Sequence, residues 1–329
     1  MKTKTLLMKT KTLLMSRAAA LAPFMKTKTL LISAAALALL ISVAAFLSFA
    51  GDSELCTSEF AQGAYESAFP YCEKACSQND GMSCNNLGEL YYNGDGVDRD
   101  NQQAKTYYEK ACSLNDGSGC VNLGELYYNG DGVKQDYQQA KNYYQQAITY
   151  YEKSCNLNDS SSCRFLGVLY AEGRGVKRDY QQAKTYYEKA CSLNDGMGCA
   201  YLGGVYLGVY YNGRGVDQDY TQAKNYYEKA CFDLNNGGGC TGLGELYHKG
   251  LGVKQDYQQA KTYYEKSCSL DDGIGCFGLG GLYYNGYGVK QNKKVSIEYY
   301  RKACGLGFKE GCSKATRIWG DLLVRGEVD

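Results

Sequence analysis

Seven times along this chain a cysteine is followed by a second one eight or nine residues later, and the sequence around each pair is nearly the same. The pairs are Cys76/Cys84, Cys112/Cys120, Cys155/Cys163, Cys191/Cys199, Cys231/Cys240, Cys268/Cys276 and Cys304/Cys312. Their first members lie 36, 43, 36, 40, 37 and 36 residues apart, so the chain repeats a unit of 36 with occasional insertions. A unit that small cannot bury a core alone, and its apolar face must be covered by the units on either side. The expected fold is all-α: an α/α solenoid with one disulfide per repeat.

Each unit carries the same punctuation. An apolar run such as VNLGELYY leads into NGDGV, and a second helical pattern follows from Asp136. Asp136 with Gln139 three positions on has the form of an N-cap and capping box; Asp100, Asp179, Asp219, Asp256 and Asn292 recur at the same place. Gly94, Gly130, Gly173, Gly213, Gly250 and Gly286 stand where a helix is expected to end in a left-handed residue. Gly88, Gly124, Gly167, Gly203, Gly244 and Gly280 fall inside the first helix, where glycine costs about 1 kcal/mol relative to alanine. Their expected role is to let a neighbouring helix come close.

Two residues eight apart on one helix are about 12 Å apart by rise alone, whereas the Cα atoms of a disulfide lie within about 7 Å. The helix must therefore break between the cysteines. SLNDG, NLNDS and SLDDG supply the break, and each bridge is expected to staple one helix end to the next helix start. Cys56 and Cys72 remain, and pairing them leaves none of the 16 cysteines over. Zinc is the alternative for closely spaced cysteines, but it favours Cys-x-x-Cys with histidine, and His248 is the only histidine; no metal or cofactor is expected.

Disulfides in this number call for an oxidising compartment. From Met25 the chain reads MKTKTLLISAAALALLISVAAFLSFAG, a basic start, an apolar run and small residues before Gly51. MKTKTLL also opens at positions 1 and 8. Residues 1–24 are read as a duplicated start region, 25–50 as a signal peptide and 51–329 as the solenoid. Its units run about 82–117, 118–160, 161–196, 197–236, 237–273 and 274–309, with half-repeat helices at both ends. The expected location is secreted or periplasmic, with an uncleaved membrane anchor as the alternative. Without the leader's seven basic residues the chain has 29 basic against 35 acidic residues, a net charge of −6 that disfavours nucleic acid as a partner.

The pattern L-G-x-L-Y-x-x-G-x-G-V-x-x-D-x-x-x-A-x-x-Y-Y-x-x-A, from Leu87 to Ala111, resembles the Sel1-like repeat, a relative of the tetratricopeptide repeat. With a cysteine pair in every unit, the chain resembles the Helicobacter cysteine-rich proteins over roughly residues 57–325. The resemblance implies a right-handed superhelix and, through the name that family carries, β-lactamase or penicillin-binding activity. Two stretches depart from it: 143–151 holds seven extra residues and 202–211 four. Seven and four are close to two turns and one, so both are expected to lengthen a helix with its apolar stripe in register.

The residues do not supply a catalytic constellation to match. Ser-x-x-Lys and Lys-Thr-Gly occur nowhere, and a bridged cysteine is no nucleophile, so catalytic residues are unknown. His248 in GELYHKG reads as a substituted turn position. The GxG loops follow helices and lack the third glycine of a nucleotide fingerprint, and Asn93, Asp95, Asp98 and Asp100 read as a solvated turn, since arginine replaces Asp95 at 174 and 214.

Surface recognition is the reading that remains. Tyrosine pairs recur at 107–108, 143–144, 186–187, 226–227, 263–264 and 299–300, one member of each able to pack inward. Just before them run Thr106, Asn142, Thr185, Asn225 and Thr262, a polar ladder suited to an extended peptide backbone if it faces the concave side. The function expected is a scaffold binding a peptide, protein or cell-wall ligand there, with a weak β-lactam-hydrolysing or β-lactam-binding enzyme as the alternative.

Overall fold

The computed structural model describes residues 51–208 and 217–324, and these form helices and turns only. The leader, with its duplicated start and expected signal, lies outside the described residues. In chain order the helices are α1 (51–61), α2 (Tyr65–Ser77), α3 (Gly81–Asn93), α4 (Asn101–Ser113), α5 (Gly117–Asn129), α6 (Tyr137–Asn156), α7 (Ser160–Glu172) and α8 (Tyr180–Ser192). They continue as α9 (Gly196–Leu207), α10 (Tyr220–Glu228), α11 (Gly237–Lys249), α12 (Tyr257–Ser269), α13 (Gly273–Asn285), α14 (Lys293–Gly305) and α15 (Lys309–Val324). From α3 to α14 they alternate as first and second helices of antiparallel pairs.

The two residues in the middle of LNDG make the corner between repeats. Asn79, Asn115, Asn158 and Asn194 are left-handed, with φ between 63° and 69°, a conformation asparagine tolerates better than other side chains. The aspartate that follows caps the next helix: Asp80 accepts from the Ser83 amide, and Asp159 from that of Ser162. The corner turns the chain back, so that the second cysteine of each pair, in the first turn of one helix, meets the first cysteine at the end of the helix before it. Disulfides join Cys76 to Cys84, Cys112 to Cys120, Cys155 to Cys163 and Cys191 to Cys199. Further along they join Cys231 to Cys240, Cys268 to Cys276 and Cys304 to Cys312. Cys56 is bridged to Cys72 and ties α1 to α2. The Cα atoms of the eight bridges are 4.5–4.8 Å apart, well inside the limit that an unbroken helix would exceed. Cys231–Cys240 spans one residue more than the other repeat bridges, and a π-helical turn over Lys229–Asp233 absorbs it.

At the other turn of each repeat, Asp100, Asp136, Asp179, Asp219, Asp256 and Asn292 cap the second helices as expected, each accepting from two backbone amides. The second half of the capping box is absent. The Asp136 amide donates to the Tyr127 carbonyl at 2.8 Å, and the same bond recurs in every repeat, so no donor is left for Gln139. Gly94, Gly130, Gly173, Gly250 and Gly286 are left-handed at the helix ends; Gly213 lies outside the described residues, and Gly208 takes that role in its repeat.

Each glycine inside a first helix makes room for a tyrosine ring more than for a helix backbone. A Cβ on Gly124, Gly203 or Gly280 would sit 2.6–2.8 Å from the ring of Tyr144, Tyr227 or Tyr300 on the second helix of the repeat. These tyrosines, the second members of the Tyr-Tyr pairs, are at most 5% exposed. The first members stack on a tyrosine of the preceding helix: Tyr91–Tyr107, Tyr127–Tyr143, Tyr170–Tyr186, Tyr206–Tyr226, Tyr247–Tyr263 and Tyr283–Tyr299, with centroids 5.4–5.7 Å apart. Each stack meets the second helix of the preceding repeat, as where Lys184 Nζ lies 4.7 Å from the Tyr206 ring. First helices of neighbouring repeats touch, as α9, α11 and α13 do in turn, while second helices are held apart by these rings. The stack therefore curves toward its first helices, which line the concave side.

The two insertions behave differently. The seven extra residues lengthen α6 to 20 residues against 13 in α4 or α8. The four in 202–211 do not lengthen their helix: α9 ends at Leu207 because Gly208 is left-handed, and 209–216 lie outside the described residues.

Candidate functional site

The polar ladder points away from the concave side. Thr106, Asn142, Thr185, Asn225 and Thr262 are exposed on second helices, about half a turn from the buried stripe that includes Ala104 and Tyr108. The hydroxyls of Thr106, Thr185 and Thr262 donate to carbonyls one turn back on their own helices at 3.0–3.1 Å, and Asn142 accepts from Gln138 at 3.1 Å. The column is therefore on the convex face, not in the groove expected from the sequence. Period alone places residues on a common face without saying which side of the solenoid that face becomes.

His248 is likewise not a turn residue. It stands in the last turn of α11, at the position of Tyr92 in α3 and Tyr128 in α5, with Lys249 in the asparagine slot. Its ring lies edge-on to Tyr257 and Tyr287, with centroids at 5.4 and 5.9 Å, and burial lowers its affinity for a proton.

A feature with room for a ligand arises from the long helix. The α6 sequence holds two consecutive copies of one motif, YQQAKNY from Tyr137 and YQQAITY from Tyr144. Tyr144 therefore serves two neighbours. Toward α5 it is the buried tyrosine opposite Gly124, and toward the next repeat it is the first residue of a second helix, with Gly175 of the following loop against its Cβ. In regular repeats the corresponding loop glycines, Gly132 and Gly288, pack on Asn101 and Tyr257, the true first residues of α4 and α12. At α6 the following repeat is thus displaced by seven residues, about 10 Å along the helix. The first two turns of α6 project beyond it.

The step leaves a cleft of about 920 Å³ between α5, the start of α6 and the loop 172–177. Its walls include Tyr128, Tyr137, Lys141, Tyr144, Arg174 and Lys177. Tyr128 and Tyr137 meet edge to face with centroids 5.2 Å apart and remain 52% and 60% exposed. Arg174 closes the floor: its guanidinium pairs with Glu125 and, at 2.5 Å, with Glu172, and lies 5.8 Å from the centre of the Tyr144 ring. Burial holds the Arg174 guanidinium below and the Glu172 carboxyl above their usual pKa values. The sequence carried a signal for this site that periodicity did not reveal. Lys105, Lys184, Lys224 and Lys261 each pair with a glutamate four residues on, at 2.6–3.6 Å, but Lys141 meets Gln145 at that place. Among the described residues, no group of three or more side chains could hold a metal ion, and every cysteine is bridged.

The repeating geometry of glycine-accommodated tyrosines and capped corners coincides with a known repeat. The Sel1 repeat model matches residues 81–116, 117–149, 145–159, 160–195, 197–231, 238–272 and 273–308. The chain belongs to the Sel1 repeat family. The overlapping match at 145–159 is a partial repeat and coincides with the second motif of α6. A Sel1 repeat protein of Oxalobacter formigenes is similar over 77% of this chain and 96% of its own, at 24% identity and a TM-score of 0.54, a likeness of fold alone. Cysteine-rich protein B of Helicobacter pylori is 39% identical, covering 42% of this Sel1-repeat chain and 96% of its own, with a TM-score of 0.33. A protective antigen of uropathogenic Escherichia coli, displaying an SLR fold, is 27% identical over 83% of this chain and 58% of its own, with a TM-score of 0.43. No curated protein matches.

Proposed function

We propose that this Sel1-repeat chain is a secreted or periplasmic, disulfide-stapled scaffold that recognises a segment of another protein, and that the step cleft at α6 is where it does so. The observation that carries the reading is the uncovered pair Tyr128 and Tyr137 beside a 920 Å³ cleft. Exposed aromatic rings at the wall of a concavity are the residues that anchor protein interfaces. The disulfides suit work outside the cytoplasm.

The test is site-specific photo-cross-linking in oxidised protein. A benzophenone side chain at position 137 is expected to capture one discrete protein from envelope extract or medium, and the same group at 106, on the convex face, is not. Equal labelling from both positions, or none from 137, would refute the placement.

A further inference from the structure

The step cleft has regular counterparts elsewhere in the same molecule, and at two of them a side chain of the following loop reaches in. Between the first two repeats, Asp131 of the following loop accepts a hydrogen bond from Tyr92 at 2.8 Å. Between the last two, Tyr287 occupies the same loop position, stacks on Tyr257 at 4.9 Å and 11°, and meets His248 edge-on. Tyr92 and His248 correspond to Tyr128, and Tyr257 corresponds to Tyr137. At these two junctions the loop of the next repeat thus contacts the corresponding positions, through an aspartate or a tyrosine. At α6 the equivalent loop residue is Arg174, and the seven-residue displacement carries it onto Tyr144, away from Tyr128 and Tyr137.

Charge selects between possible occupants. Lys141 and Lys177 line the cleft, and among the described residues neither has a carboxylate within ion-pair distance, while Arg174 is already engaged by two glutamates. Lys141 lacks the glutamate its counterparts have because the duplicated motif places Gln145 there. An occupant that supplies carboxylates to the two lysines and a ring to the two tyrosines completes what the next repeat supplies elsewhere.

We infer that the step cleft takes an acidic segment of a partner protein carrying a tyrosine, which replaces the missing inter-repeat loop. The inference rests on the reading of the cleft as the recognition site and adds the chemistry of its ligand. The tyrosine ring stacks on Tyr137 as Tyr287 does on Tyr257, and flanking carboxylates meet Lys141 and Lys177.

The probe is a fluorescein-labelled peptide of sequence Gly-Asp-Tyr-Asp-Glu-Gly, followed by anisotropy with the oxidised mature chain. Binding is expected to weaken as salt is raised, since part of it is charge pairing. Lys141→Glu and Tyr137→Ser are each expected to lower affinity tenfold or more, while Thr106→Ala leaves it unchanged. Peptides with lysine for the acids, or serine for the tyrosine, are expected to bind at least tenfold more weakly. These peptide arms need no protein variant to fold. An acidic peptide that fails to bind, or binds Lys141→Glu as tightly as the parent, overturns the ligand class. A partner captured at position 137 through a basic or wholly apolar segment also overturns it but leaves the cleft as the recognition site; no capture at 137 removes that site too.

Discussion

Tyr227 is clamped between two glycines, Gly203 of its own repeat and Gly242 of the next, and a Cβ on Gly203 would sit 2.6 Å from two of its ring carbons. The Gly203 side of the clamp has a counterpart in every first helix from α3 to α13, which explains why a residue that disfavours helix recurs there. Gly203→Ala should destabilise the chain by about 1–3 kcal/mol from overpacking, although alanine is the better helix former by about 1 kcal/mol. Combining it with Tyr227→Leu should give a smaller loss than the two single losses added. Urea unfolding of the four proteins checks this, and a stabilised Gly203→Ala would refute the clamp.

The repeat disulfides join the second helix of one repeat to the first helix of the next, and each closes a short loop. Replacing Cys191 and Cys199 together by alanine is expected to cost about 2–3 kcal/mol, from the chain-entropy effect of a loop of this length. Non-reducing peptide mapping of the parent should return the eight pairs and no linkage between distant repeats.

His248 gives the chain a pH response near neutrality. Burial lowers its folded pKa below the ordinary 6.5, with Lys249 adding to the shift and Glu245 opposing it. The unfolded chain therefore binds the proton more readily than the folded one. The contribution is fully present above the unfolded pKa and is lost as pH falls below about 6.5 toward the folded value. His248→Tyr, which restores the residue found at Tyr92 and Tyr128, should flatten the melting temperature between pH 7 and 5.5 relative to the parent. Parallel pH curves for the two proteins would argue against a buried, destabilised imidazolium.

Export makes a separate prediction. Mass spectrometry of the protein recovered from the periplasm or medium should find a mature N-terminus near Gly51, and retention of residues 25–50 would favour the anchored alternative.

Much of the architecture was legible in the sequence because local chemistry sets it. The cysteine spacing demands a corner, the Asn-Asp dipeptide makes one, and the aspartates start helices; all of these act within a few residues. What was not legible depends on how neighbouring repeats meet. The Asp136 amide is taken by the Tyr127 carbonyl rather than by Gln139, and the Thr106 column faces outward because tyrosine stacks hold the second helices apart on the convex side. Gly208 ends α9 before the four-residue insertion can extend it. The length of α6 follows from its seven extra residues, but the cleft does not, since it depends on where the next loop lands and only the Lys141–Gln145 mismatch marks it in the sequence.

The step at α6 can be removed by deleting residues 138–144. The deletion leaves DYQQAITYYEKSCN, restores a cysteine spacing of 36, and places Tyr151 twenty residues from Gly124, the separation of Tyr108 from Gly88. The decisive measurement is the affinity of this deletion variant for the acidic tyrosine peptide, with its melting temperature as the control. A cooperative melt at or near that of the parent together with at least a tenfold loss of affinity is the predicted result. Undiminished binding by the folded deletion variant would contradict the assignment of recognition to the step.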